Sequence, residues 1–259
     1  METTPITTKT VANFLNMPAT AKFLESTLKE KRAEFVSNLI ALADGDSNIA
    51  ACEPSALMKC ALNATALNLP LNKNLGYAYI IPYKGVPSFQ IGYKGIIQLA
   101  IRTGAYRFIN ATEVRENEIK RNKITGELTF IGDNTDGKVV GYIAYLELMS
   151  GFTASLYMTE EEIERHALRF SKMYASDKQN KTFKSKWSDP DARPAMAKKT
   201  VLKGLLGTYG LMTTEFAKAF EADSDEAEHP TGSRTSQFDD AEIIHQDEPR
   251  QAEPEKIQI

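Results

Sequence analysis

The residues of this chain best suited to chemistry are cations set at helical spacing beside aromatic rings. Arg165, Arg169 and Lys172 recur at i, i+4 and i+7, opposite an apolar stripe of Ile163, Ala167, Phe170 and Tyr174. Three like charges on one helix face repel unless an anion lies across them, and no glutamate relieves them there. A polar loop follows, carrying Lys178, Lys181, Lys184 and Lys186 interleaved with Phe183 and Trp187. Cations that hold phosphates, beside rings on which bases stack at about 1–3 kcal/mol each, suit a single nucleic-acid strand. Docking of the rings onto the protein's own core is the alternative. Lys198 falls on the apolar side of the next helical pattern, among Ala195, Val201, Leu202 and Leu205, where a lysine must snorkel or meet an anion. Lys199 and Lys203 fall nearer the polar side.

A second array lies between Leu69 and Arg107. Lys94, Gln98 and Arg102 recur at i, i+4 and i+8 and form the polar stripe of a helix, for which a solvated face is the alternative. Lys73, Lys84 and Arg107 flank an expected hairpin and are candidate phosphate contacts. Tyr77, Tyr79 and Tyr93 either build the sheet or offer stacking platforms, and Tyr93, beside Lys94, is the candidate contact among them.

The charge distribution supports a polyanionic partner. The net charge is only −3, but four of the 31 cations and 13 of the 34 acids fall after residue 212, a net of −9. The preceding 212 residues therefore carry +6, and Arg165 to Lys203 alone holds eleven cations against three acids, or +8. A basic body with an acidic tail is concealed by a pI near 5.8.

Catalytic readings find less support. There is no Gly-x4-Gly-Lys-Ser/Thr phosphate loop, and His166, His229 and His245 lack metal-ligand spacing. Glu118-Ile119-Lys120 has the Glu-x-Lys form of some nucleases, but the nearest upstream aspartates, Asp44 and Asp46, lie far back in a helical region. We expect no enzyme activity, no cofactor and no metal. No apolar run spans a bilayer and the N-terminus lacks an apolar signal segment, so a cytoplasmic protein that does not enter a membrane is expected. Cys52 and Cys60 would lie about 12 Å apart along a helix, too far for a disulfide, and read as buried thiols.

The elements that must position these residues follow from periodicity. Residues 10–67 are helical in composition, with Pro18 opening a second helix and Asp44-Gly45-Asp46 breaking the run. Strands are expected at 75–83 and 87–93 around a Lys84-Gly85-Val86-Pro87 turn. A helix follows from about Gly95 with Ile96, Ile97, Ala100 and Ile101 inward and Gly104 as its stop. Further strands are expected at 107–115, 127–131, 138–148 and 152–158. Thr159 and Glu162 form a capping box opening a helix to about Tyr174, and another helix covers 195–207. The sum is an α+β fold, a short antiparallel sheet built as hairpin, helix and strands, backed and flanked by helices. We divide the chain into a helical N-terminal region at 1–67 suited to subunit contacts, an α+β DNA-binding core at 68–220, and an acidic, disordered tail at 221–259.

The central block resembles a known family. Asn68-Leu69-Pro70-Leu71, the strand Gly76-Tyr77-Ala78-Tyr79-Ile80-Ile81-Pro82-Tyr83, and Gly92-Tyr93-Lys94-Gly95-Ile96-Ile97-Gln98-Leu99-Ala100 look like the phage RecT-type recombination proteins. The likeness runs through Arg102-Thr103-Gly104 to Glu113-Val114, includes Trp187 and Ala197-Lys198-Lys199-Thr200, and covers roughly residues 10–220. It implies an ATP-independent single-strand annealing protein of a bacterial host cell. Such a protein binds single-stranded DNA, assembles on it as a ring or helical filament, and pairs it into annealed duplex DNA. It also implies a homo-oligomer, with a phage exonuclease or a host single-stranded-DNA-binding protein as further partners. A single-stranded-DNA-binding protein that does not anneal, and a magnesium-dependent nuclease, are the alternatives.

Overall fold

The computed structural model describes residues 8–83, 85–122, 124 and 128–225. Among them the helical N-terminal region is built as expected. Helices α1 (Thr8–Leu15), α2 (Pro18–Leu28), α3 (Arg32–Asp44), α4 (Ser47–Ala50) and α5 (Pro54–Ala66) follow one another with short breaks. Pro18 and Pro54 stand in first turns, where no intrahelical N–H is lost. Asp46 caps α4 by accepting from the Asn48 N–H, and Glu53 caps α5 by accepting from the N–H groups of Ser55 and Ala56. The buried stripe of α5 is Leu57, Met58, Cys60, Ala61 and Ala64, and both cysteines are buried free thiols.

A two-residue connection joins β1 (Ala78–Tyr83) to β2 (Val86–Ile91) in an antiparallel hairpin that pairs Ala78 with Ile91. Ala78 and Ile80 face the core, so the tyrosines of β1 lie on its less buried face. Helix α6 (Tyr93–Arg102) starts at once after β2, and glycine permits that tight join. A Cβ on Gly95 would collide with the Tyr77 carbonyl, and Gly76 holds φ at +72°, a conformation that favours glycine. Leu99, with Gly95, Ile96 and Ala100, is buried on α6, whereas Ile101 is exposed, contrary to the inward position expected for it.

The main sheet is three antiparallel strands in the order β3–β6–β7, with β3 at Tyr106–Arg115, β6 at Val139–Leu148 and β7 at Thr153–Thr159. Between β3 and β6 the chain forms a small hairpin, β4 (Ile119–Arg121) with β5 (Leu128–Phe130). Its first strand, which carries no alternating apolar pattern, is not among the strands expected from the sequence. Ala144 and Leu146 at the centre of β6 are fully buried.

The helices after the sheet differ from expectation in where they break and where they end. The Thr159 capping box forms, the Glu162 N–H donating to Thr159 Oγ1 and the Thr159 N–H to Glu162 Oε2, and it opens α7 (Glu160–Phe170). That helix stops at Ser171, whose extended backbone ends α7 while its hydroxyl accepts from the Tyr174 N–H and caps α8 (Lys172–Asn180). The expected single helix to Tyr174 is therefore two, because a serine that can cap competes well with one that continues a helix. Helix α9 (Arg193–Tyr209) packs across the sheet and against α6. Helix α10 (Thr214–Asp225) extends beyond the expected end of the core at residue 220, anchored by the fully buried Phe216. The rest of the expected acidic tail, 226–259, lies outside the described residues. Among those described, no helix is long and apolar enough to cross a membrane.

Candidate nucleic-acid interface

Helix α9 is the spine on which the candidate residues converge. One face, with Ala197, Val201, Leu202, Leu205 and Leu206, is buried. Lys198 leaves that face half-buried, and its ammonium stands 5.9 Å from the centre of the Tyr93 ring at the start of α6. A lysine stem over apolar surface with its head on an aromatic face is the snorkelling arrangement its position required. Lys94, the next residue on α6, is exposed, so Tyr93, Lys94 and Lys198 form one cation-and-ring cluster from two helices.

The second cluster is built by α7, α8 and the loop after them. Arg165 and Arg169 are exposed on α7, and Arg169 lies 5.1 Å from the Phe170 ring centre. Lys172 is exposed at the start of α8, so the break at Ser171 places it on a different helix from the two arginines. Lys181 takes the left-handed conformation that ends α8. Lys184 is exposed, and Lys186 is exposed beside Asp189 at 3.6 Å. Phe183 is 81% exposed, whereas Trp187 is 6% exposed. The indole packs 6.3 Å from the Tyr174 ring, under the Arg193 guanidinium at 5.8 Å. Docking on the core thus describes Trp187, and the ring presented to solvent is Phe183.

One aspartate explains why this polar loop is ordered. Asp177 accepts from Thr182 Oγ1 at 2.5 Å, Ser188 Oγ at 2.6 Å, and the N–H groups of Ser185 at 2.7 Å and Lys184 at 2.9 Å. Burial would raise its pKa, but the hydrogen bonds from Ser188, Thr182 and the two amides outweigh burial and hold the carboxyl far below its usual range. A second hub, Arg193, joins the helices. Its guanidinium donates to Glu160 and Glu164 of α7, to the Tyr174 hydroxyl and to the Trp187 carbonyl. Neither residue was singled out from the sequence. The run of Thr182, Ser185 and Ser188 after Asp177 is the one local signal for the first, and the second has none.

Several sequence candidates hold the fold together. Arg102 donates to the Leu67 carbonyl at 2.8 Å and the Asn68 carbonyl at 3.1 Å, satisfying the C-terminal end of α5. Lys73 is paired with Asp46 at 2.8 Å, Arg107 with Glu147 across the sheet at 3.0 Å, and Lys178 with Glu164 at 2.9 Å. Lys199 and Lys203 are turned inward, contrary to the polar side expected for them, and both meet Asp223. Lys84 lies outside the described residues. Among the described residues, Lys94, Arg165, Lys172, Lys181 and Lys184 are exposed and form no ion pair.

The nuclease-like Glu118 has both carboxylate oxygens on backbone amides, Oε2 accepting from Arg115 N–H and Oε1 from Asn134 N–H. No group of three His, Cys, Asp or Glu among the described residues is arranged to hold a metal ion.

Comparison with known proteins agrees with the central block. The chain is 34% identical to the uncharacterized protein YqaK of Bacillus subtilis (strain 168), covering 95% of this chain and 83% of that protein. It is 25% identical to protein RecT of Escherichia coli (strain K12), over 83% of this chain and 81% of that one. The RecT family matches residues 33–243, from α3 through every element that carries the two cation clusters. The chain belongs to the RecT family of DNA-recombination annealing proteins.

Proposed function

We propose that the protein binds single-stranded DNA along the surface running from Tyr93, Lys94 and Lys198 to Arg165, Arg169, Lys172, Lys181, Phe183, Lys184 and Lys186, and anneals it to a complementary strand without ATP. The observation that carries this reading is the exposed Phe183 flanked by Lys181 and Lys184, exposed cations that form no ion pair among the described residues, in a loop that Asp177 fixes in shape. Cations facing solvent without carboxylates are free to neutralise phosphates, and an exposed ring gives a base a face to stack on. The mechanism needs positioning and no covalent step. Phosphates rest on the cations, bases are left accessible, and Watson–Crick pairing with a second strand selects the partner.

A single subunit offers only a few such contacts, so tight binding comes from many subunits linked along one strand, as a ring or filament. The N-terminal helices are the candidates for subunit contacts, and the acidic segment after α10 for recruiting an exonuclease or a host single-stranded-DNA-binding protein. Mixing labelled complementary oligonucleotides with the protein, with and without magnesium, tests the reading. Accelerated pairing without nucleotide is expected. Binding without acceleration would leave a passive strand-binding protein, and shortening of the strands with magnesium a nuclease.

A further inference from the structure

Lys199 and Lys203 stand one turn apart on α9 and are turned inward together. Both ammoniums end on the Asp223 carboxylate of α10, Lys199 Nζ to Oδ1 at 2.8 Å and Lys203 Nζ to Oδ2 at 2.8 Å. A third donor, the Ile91 N–H at the end of β2, reaches Oδ1 at 2.9 Å. The side chains are 14%, 11% and 2% exposed for Lys199, Lys203 and Asp223. Two ammoniums and a backbone amide converging on one oxyanion are the donor set that holds a phosphodiester. Folding alone gives little reason to keep them, since a buried ion pair stabilises no better than well-packed apolar groups.

The surroundings are electropositive. His166 on α7 is held neutral down to about pH 4, first because it is buried and then because Lys203 and Arg169 stand near it. The donors also adjoin the candidate interface, for Lys198 on the same helix faces Tyr93 at the surface. The covering element is the final described helix. Its first half is fixed by the buried Phe216, while its second half is held by Phe220, edge-on to Phe216 and 5.1 Å from the Lys203 ammonium, and by Asp223.

We propose that Lys199, Lys203 and the Ile91 N–H form a phosphodiester-binding site that Asp223 occupies in the free protein, so that the distal half of α10 competes with the DNA strand and lifts away from Phe220 onward when DNA binds. One singly charged oxyanion replaces another, and the two ammoniums are never stranded without a partner. The inference rests on the DNA-binding reading above and adds a site within it.

Amide hydrogen exchange on the full chain, free and with excess oligo-dT whose binding is followed by fluorescence anisotropy, tests it. Amides 219–225 are expected to exchange at least about tenfold faster in the complex. Phe220→Ala, which loosens the helix without leaving a buried charge, is expected to bind the oligonucleotide several-fold more tightly, and Lys199→Ala to erase that gain. Oligonucleotide that binds while α10 exchange stays unchanged or slows, or a folded Phe220→Ala protein with wild-type affinity, overturns the proposal. An oligonucleotide that does not bind at all overturns the DNA-binding reading, and this site with it.

Discussion

Acidification gives a test that needs no ligand. His166 stacks 4.6 Å from Phe170 and has its pKa lowered from 6.5 to about 4 by burial and by the nearby Lys203 and Arg169. Between those two values the unfolded chain binds a proton that the folded protein refuses. Stability is therefore complete above pH 6.5 and falls as the pH drops toward 4, below which this contribution is lost. A difference of about 2.5 pKa units corresponds to about 3 kcal/mol, of which about 2.5 kcal/mol is gone by pH 4.5. Urea unfolding, followed by the fluorescence of the single tryptophan, Trp187, at pH 7 and pH 4.5 measures it. His166→Gln removes the titration, so its loss of stability over this interval should be smaller than that of the wild type by about 2.5 kcal/mol. Carboxylates titrate alike in both proteins and cancel in the comparison. Equal losses in the two, within about 0.5 kcal/mol, would refute the account.

Three other perturbations separate fold from interface. Arg193→Ala breaks a four-partner network that is one-fifth exposed, and should destabilise by about 2–4 kcal/mol, lowering Tm by about 5–10 °C in a thermal melt. A melt shifted by less than 2 °C, on the order of the scatter of surface changes, would show that the network contributes little. Phe183→Ala should weaken oligonucleotide binding about tenfold, as loss of one stacked base does, with no change in Tm. Wild-type affinity in that variant would remove the ring from the interface. Lys198→Ala should lower affinity and reduce the slope of log K against log salt by about 0.7, as expected for one phosphate contact. An unchanged slope with an unchanged Tm would leave Lys198 as a packing residue only.

What could be read from the sequence depended on the range of the interactions involved. The capping box at Thr159, the prolines opening α2 and α5, and the hairpin leading into α6 are local devices, written within four or five residues. Charge at helical spacing pointed to Lys94 and Arg165, which are exposed, and the helical wheel put Lys198 on the apolar side, where it lies half-buried with its ammonium toward Tyr93. The same periodicity misplaced Lys199 and Lys203, because their partner Asp223 lies some twenty residues away on another helix and draws them inward. Arg102 and Lys73 carry the same signal in the sequence, but the carbonyls of Leu67 and Asn68 just past α5 and the carboxylate of Asp46 engage them. Trp187 and Phe183 were indistinguishable in a lysine-rich loop. The hydrogen bonds gathered by Asp177 fix which of the two rings points in.

The break at Ser171 has a consequence for how this protein tolerates change. In an unbroken helix, one added residue turns everything beyond it by about 100°, so the cations and the core positions downstream would lose alignment together. Here the backbone restarts at Ser171 and again at Lys181, with the loop to α9 following. An insertion or deletion between 181 and 188 costs hydrogen bonds to Asp177, but α9 keeps its rotational phase against the sheet. Damage to the segment that presents Phe183 and Lys184 thus stays local, while the spine behind it stays in register.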